Sequence, residues 1–409
     1  MAALVIAGEM VFGLTFHVPR YFRPTLLSVL GISNAGLGDA FALYGVFAML
    51  SYIPSGLLAD RFPARKLLSV SLVATAAGGL YFATLPGTLG LAVVYSYWGV
   101  TTIVLFWSAL IRATREWGGA SEQGRGFGWL DGGRGLVAAL VATAGVMILS
   151  LGLGTDPSTA SGTDRASALQ AVILYYSLAT VLAAIMVWWC IPEPARATQA
   201  RSERAWTIEP VLRLKVVWLQ ALVVVCSYCG YKAFDNYSLY AYDVLGMDEA
   251  RAAAFAASAG YIRPVAAIAA GYLGDRLGVA RMIMGLFAAL VVCWTFLGGT
   301  EASVQYNALA LGALLASIAC AFGLRSLYFA LLEHNGVPRS LTGTAVGLIS
   351  LSGYTPDIFF GAVSGRILDA TPGVGGHQDL FLLLAAVGAL GLATTAALRP
   401  GTVRPTGGE

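Results

Sequence analysis

Charge is what this 409-residue chain has least of: Asp, Glu, Lys and Arg make up 11% of it, against 57% hydrophobic residues and a mean hydropathy of +0.73. That balance excludes a soluble globular domain, in which about 25% of residues are charged. The formal net charge of +3 gives no reason to expect a nucleic-acid partner. Cysteine is scarce as well. Cys190, Cys226, Cys229, Cys293 and Cys320 all fall in or at the ends of apolar runs. Cys226 and Cys229 have CxxC spacing, but no further Cys or His cluster accompanies them, so packing is expected rather than a metal site. No Walker A loop is present, which argues against ATP as an energy source. No HExxH, GxSxG or facing aspartate pair occurs with convincing spacing, which argues against an intramembrane enzyme. No metal and no cofactor are expected.

What is abundant is apolar sequence in long runs. Stretches of about 20 apolar residues, the length that spans a bilayer as a helix, recur at 2–28, 38–59, 67–86, 89–112, 125–152, 168–191, 213–241, 249–274, 279–298, 304–331, 340–367 and 378–398. An all-α membrane protein of twelve spans follows, six in each half. A membrane β-barrel is excluded because its strands are alternating segments of about 10 residues. The first run carries Glu9, His17 and Arg20 with no basic region before it, so it is expected as a retained first span and not a cleaved leader.

When loops alternate sides, Arg61, Arg65, Lys66, Arg112, Arg115, Arg276 and Arg281 collect on one side, together with the basic residues of 192–215 and of the C-terminal tail. The other side holds Arg20, Arg23, Arg165, Arg251 and Arg366 among more numerous aspartates, including Asp39, Asp156, Asp248 and Asp369. The positive-inside rule then puts both termini in the cytoplasm of a multi-pass inner or plasma membrane protein. Residues 192–212 read as a cytoplasmic linker between a bundle at 1–191 and a bundle at 213–399, and 400–409 as a disordered tail.

One sequence occurs twice. GLLADRFPARK at Gly56 to Lys66 returns as GYLGDRLGVAR at Gly271 to Arg281, an offset of 215 residues. With twelve spans and a linker after the sixth, this pattern resembles the major facilitator superfamily, in its organic-anion and sugar-phosphate permease branch. The resemblance implies two pseudo-symmetric six-helix bundles rocking about a site near the bilayer midplane. It also implies a cytoplasmic gate at Gly56, Asp60, Arg61, Arg65, Gly271, Asp275 and Arg276. The motif has its own physical sense. The glycines let helices approach closely, and the carboxylates of Asp60 and Asp275 suit the N-termini of facing helices, expected as those of the eleventh and fifth spans. Asp131 and Arg134, three residues apart in the fifth span, join the gate or neutralise each other.

Ionised groups deep in a span are costly unless they face protein or water, so each marks a pathway. His17, Arg20, Lys232, Asp235, Arg263, Arg325 and Asp357 are such groups, with Glu9. The 215-residue offset lays Lys232 on His17 and Asp235 on Arg20. In the superfamily's organophosphate antiporters a basic residue on the first and on the seventh span grips phosphate, and Arg20 and Lys232 occupy similar places. The substrate-binding set is therefore His17, Arg20, Tyr231, Lys232, Asp235, Arg263, Arg325 and Tyr354, with His17 and Asp357 able to exchange protons. Two other outcomes stay open: Lys232 pairing with Asp235 in its own helix, and Arg263 or Arg325 pairing with Asp357. The expected protein is a secondary transporter, acting as a monomer in the lipid bilayer. It moves a small organic anion with a proton or against a counter-substrate. A zwitterion carrier and a non-transporting solute sensor are the alternatives.

Overall fold

The computed structural model describes residues 1–118, 123–192, 208–300, 307–331 and 342–398. Among them there are helices and turns and no strand. Long apolar runs place the backbone where no water can satisfy it, and a helix meets that demand within one segment. Among the described residues nine helices are long and apolar enough to cross a bilayer, from Asn34–Tyr52 to Val374–Ala397, and a tenth span is the bent pair Ala2–Met10 and Gly13–Tyr21. The third span is Ala64–Phe82, with Arg65 and Lys66 in its first turn. The fourth is Thr88–Thr101 continued by Trp107–Gly118. With these the expected twelve spans are all accounted for.

Their ends are set locally. Gly31, in the left-handed region at φ 60°, stops the first span. Ser33 then caps the second, its Oγ accepting from the Gly36 N–H at 3.1 Å. Ser161 and Asp164 cap the sixth reciprocally, and Asp248 caps the eighth by accepting from the Arg251 N–H. Each side-chain oxygen satisfies a first-turn N–H that has no partner within its helix.

Large apolar side chains lie outside: Leu89, Leu151 and Trp189 are 81%, 82% and 80% exposed. Small hydroxyl side chains lie inside. Ser71 Oγ donates to the Thr101 carbonyl at 2.6 Å, and Trp98 Nε1 donates to the Thr75 carbonyl at 3.0 Å, joining the third and fourth spans. Lipid tails are as apolar as Leu, so helix contact in a bilayer rests on close packing and on bonds of this kind.

Packing groups the described chain into two compact units. One holds Met1–Thr198 with Phe234–Pro264 and Asp357–Gly376, and the other holds Gln199–Ala233, Val265–Pro356 and His377–Glu409. Each unit is assembled from three separate stretches, whereas the sequence led to the expectation of two continuous bundles at 1–191 and 213–399. The second unit has a core of Val211, Val217, Ala221, Val224, Tyr328, Ala345 and Ile349. In the first unit the second and eleventh spans meet backbone to backbone. A Cβ built at Gly38 strikes the Gly361 carbonyl, one at Gly365 strikes the Asn34 carbonyl, and one at Gly45 lies 2.6 Å from the Asp357 carbonyl. Close approach was expected at Gly56 and Gly271, yet nothing described lies within 4 Å of a Cβ there. Gly38→Val is expected to cost about 1–3 kcal/mol by overpacking and to lower the thermal midpoint of the purified protein. Gly56→Ala should leave the midpoint unmoved, and equal midpoints for both variants would contradict this seam.

Candidate functional site

The first span is interrupted where its polar residues lie. Gly13–His17 forms a widened π-helical turn, a distortion that is frequent at functional sites. Val18–Tyr21 follows, and the helix breaks again at Phe22 before Arg23–Leu30. The seventh span is interrupted too: Lys215–Ala233 gives way to a tight turn at Phe234–Asn236 and resumes as Tyr237–Asp243. Asp235 sits in that turn, 215 residues after Arg20, which is the offset of the repeated loop. The two meet. Arg20 Nε donates to Asp235 Oδ1 at 2.6 Å, with both side chains buried. The Arg20 guanidinium lies 5.2 Å from the centre of the Phe234 ring, and Ser238 Oγ donates to the Arg20 carbonyl at 2.6 Å.

A second buried cluster forms around Glu9, itself 4% exposed. Its Oε1 is 3.0 Å from His17 Nε2, and its Oε2 accepts from Arg134 Nε at 2.9 Å. Arg263 reaches in from the eighth span, with Nη1 3.8 Å from Glu9 Oε1 and Nη2 donating to Asp131 Oδ1 at 2.8 Å. Asp131 and Arg134, neighbours on one helix, thus each have a partner on another span. Glycine makes the room. A Cβ at Gly135 would lie 2.9 Å from Arg263 Cδ, and one at Gly8 would lie 3.3 Å from Arg134 Cδ.

In the second unit the residues of interest are aromatic and basic. Lys232 is 2% exposed. The Arg325 guanidinium lies 4.6 Å from the Tyr231 ring centre and 5.9 Å from that of Tyr228. Tyr228 stacks on Tyr231 with centroids 5.6 Å apart and meets Tyr354 edge to face at 5.1 Å. The Tyr354 and Tyr328 hydroxyls are 3.4 Å apart. Tyr231, Arg325 and Tyr354 are half-buried. Asp357 belongs to the first unit, its backbone against Gly45.

Of the residues expected at the cytoplasmic gate, Asp60, Arg61, Asp275 and Arg276 are exposed, and Arg276 lies over the Tyr272 ring at 4.3 Å. Arg65 stacks over Trp188 at 4.9 Å. Arg112 donates to the Ala59 and Phe62 carbonyls, closing the C-terminal end of the second span as a cation should.

Two residues gain importance that the sequence alone did not give them. Glu9 was visible as a deep acid without a role, and the structure makes it the hub of a cluster. Arg23 looked like an outer loop charge, yet it is 3% exposed. The available signal was the run Glu9, His17, Arg20, Arg23, which places four ionisable groups along one span.

A family model described as the Major Facilitator Superfamily matches residues 5–361. The chain is 26% identical over 401 residues to the inner membrane protein YqcE of Escherichia coli strain K12, covering 95% of this chain and 91% of that one. It is 24% identical over 409 residues to the inner membrane protein YihN of the same strain, covering 93% and 90%. Among solved structures, the D-xylose-proton symporter superposes with a TM-score of 0.76 at 15% identity, covering 98% of this chain and 96% of that one. The nucleoside transporter NupG superposes with a TM-score of 0.74 at 12% identity, covering 97% and 98%.

Removing one partner from a buried charge cluster costs about 3–5 kcal/mol, because it strands the others. Glu9→Gln should therefore lower the thermal midpoint clearly, and Glu9→Gln with Arg134→Gln should recover part of the loss. A midpoint unchanged by Glu9→Gln would remove Glu9 from the hub.

Proposed function

The chain belongs to the Major Facilitator Superfamily, and on that premise we propose that it carries a small organic anion across the inner or plasma membrane by rocker-switch alternating access, with both termini cytoplasmic. It is a membrane transporter and not an enzyme. The observation that carries the anion reading is the Arg325 guanidinium over the half-buried Tyr231, beside Tyr228 and Tyr354, in the unit that also buries Lys232. An arginine braced on aromatic faces keeps its fork oriented for a carboxylate or phosphate, and a lysine adds a point charge. In the first unit the charges meet across spans. Arg20 has Asp235, while Arg134 and Arg263 have Glu9 and Asp131. Arg20 and Arg263 thus enter the proposal as cations exposed to solute when their acids are drawn away, and not as standing anion sites.

The same pairing favours one second reading. Arg20 and Asp235 put opposite charges at one place, which suits a zwitterion such as an amino acid or short peptide. Coupling is by a proton or by exchange, with His17 and Asp357 as the proton-exchanging groups and a single chain as the working unit.

Uptake of sugar phosphates, carboxylates, amino acids and dipeptides into proteoliposomes tests both readings, first under an imposed pH gradient and then by counterflow without one. An anion should be taken up, and Lys232→Ala or Arg325→Ala should cut its initial rate by tenfold or more, roughly the loss of one charge-assisted contact. Uptake of anions that ignores both substitutions would overturn the assignment, and uptake confined to amino acids or dipeptides would select the zwitterion.

A further inference from the structure

Arg23 stands at the start of the last segment of the first span and reaches two neighbouring elements at once. Its Nη1 donates to the Asp235 main-chain carbonyl at 3.5 Å, while Nε and Nη2 both donate to Asn34 Oδ1, at 3.1 and 3.0 Å. Asn34 passes the connection on. Its Nδ2 and its main-chain N–H both donate to Asp369 Oδ1 at 3.1 Å, and the Ala35 N–H donates to Asp369 Oδ2 at 2.7 Å. A carboxylate from the end of the eleventh span thus caps the N-terminus of the second, where first-turn N–H groups and the helix dipole both favour it. One turn further on, Arg366 and Asp39 pair through two bonds, of 2.7 and 3.2 Å. All of these residues belong to the first unit.

We propose that Arg23 is a positioning residue that transmits the state of the Arg20–Asp235 pair to the closure between the second and eleventh spans. The tight turn at Phe234–Asn236 is the input: Asp235 offers its side chain to Arg20 and its carbonyl to Arg23. When the carboxylate leaves Arg20 the turn rotates, its carbonyl withdraws, and the Arg23 fork loses one of its two supports. Asn34 is the relay, because a primary amide accepts at oxygen and donates at nitrogen. With Arg23 displaced, the Asn34 amide loses both donors on its oxygen and is held by its Nδ2 bond to Asp369 alone, so this side-chain link between the two spans loosens. Lysine in place of Arg23 offers a point charge without the planar fork that spans both partners. The link is one of geometry and does not rest on the solute being an anion, so it stands or falls apart from the function proposed above.

Hydrogen–deuterium exchange of the full chain in lipid nanodiscs, without added solute, reads the link at the Asn34 and Ala35 amides. Asp369→Asn should speed their exchange directly. Asp235→Asn, remote from both amides, should speed it too, by about tenfold, the scale of a local opening that has lost one support. In an Arg23→Gln background Asp235→Asn should add nothing further, whereas two independent structural losses would add. The sixth span, Gly162–Cys190, should stay protected throughout, which separates unlatching from unfolding. If Arg23→Gln does not fold, Asn34→Ala cuts the same link while keeping the Arg23 charge and its bond to the Asp235 carbonyl. Unchanged exchange at 34–35 in Asp235→Asn, or effects that add in the double variant, would overturn the proposal.

Discussion

Ionised side chains held away from water govern this molecule. An apolar bundle in lipid needs no charges for stability, and each one it keeps must be matched by a neighbour at short range. The Arg20–Asp235 contact at 2.6 Å is the plainest case, and the surrounding backbone is shaped to permit it. Two helices that would otherwise run straight are each broken close to these residues, the first by a widened turn at Gly13–His17 and the seventh by a tightened one at Phe234–Asn236. Regular helical hydrogen bonding is given up locally so that a base and an acid can face each other.

Cluster and contact divide the work between the two units. In the first, Glu9 gathers His17, Arg134 and Arg263, and Asp131 holds Arg263 from the far side. Three spans therefore depend on one another's charges, and none can leave without stranding a partner. In the second, Arg325 lies against the rings of Tyr231 and Tyr228, and Tyr354 meets Tyr228 edge to face. Ring faces attract a guanidinium through their quadrupole and leave its N–H edge open to other acceptors.

Much of this was legible in the chain itself. Run length and scarcity of charge gave the helical membrane class, and the repeated Gly-x-x-x-Asp-Arg loop gave the family and the pairing of its halves. The deep residues could be named because ionisable groups are rare in apolar runs. Their partners could not, since Arg20 finds Asp235 across 215 residues and Asp131 finds Arg263 across 132, distances over which helical spacing says nothing. Local rules misplaced the interest instead: the i,i+3 spacing of Asp131 and Arg134 suggested a private pair, and Arg23 passed as an outer loop charge. The glycines of the repeated loop drew attention as packing sites, whereas the tight seam lies at Gly38, Gly45, Gly361 and Gly365, which carry no recognisable motif.

The 46° bend between Ala2–Met10 and Gly13–Tyr21 has a mechanical meaning. It places Glu9 on one rod and Arg20 on another, joined by a knuckle in which the normal ladder is already broken. The His17–Glu9 contact at 3.0 Å crosses that knuckle and ties the two rods together. The bend thus lets one polypeptide segment serve two neighbourhoods, with an imidazole as the strut between them.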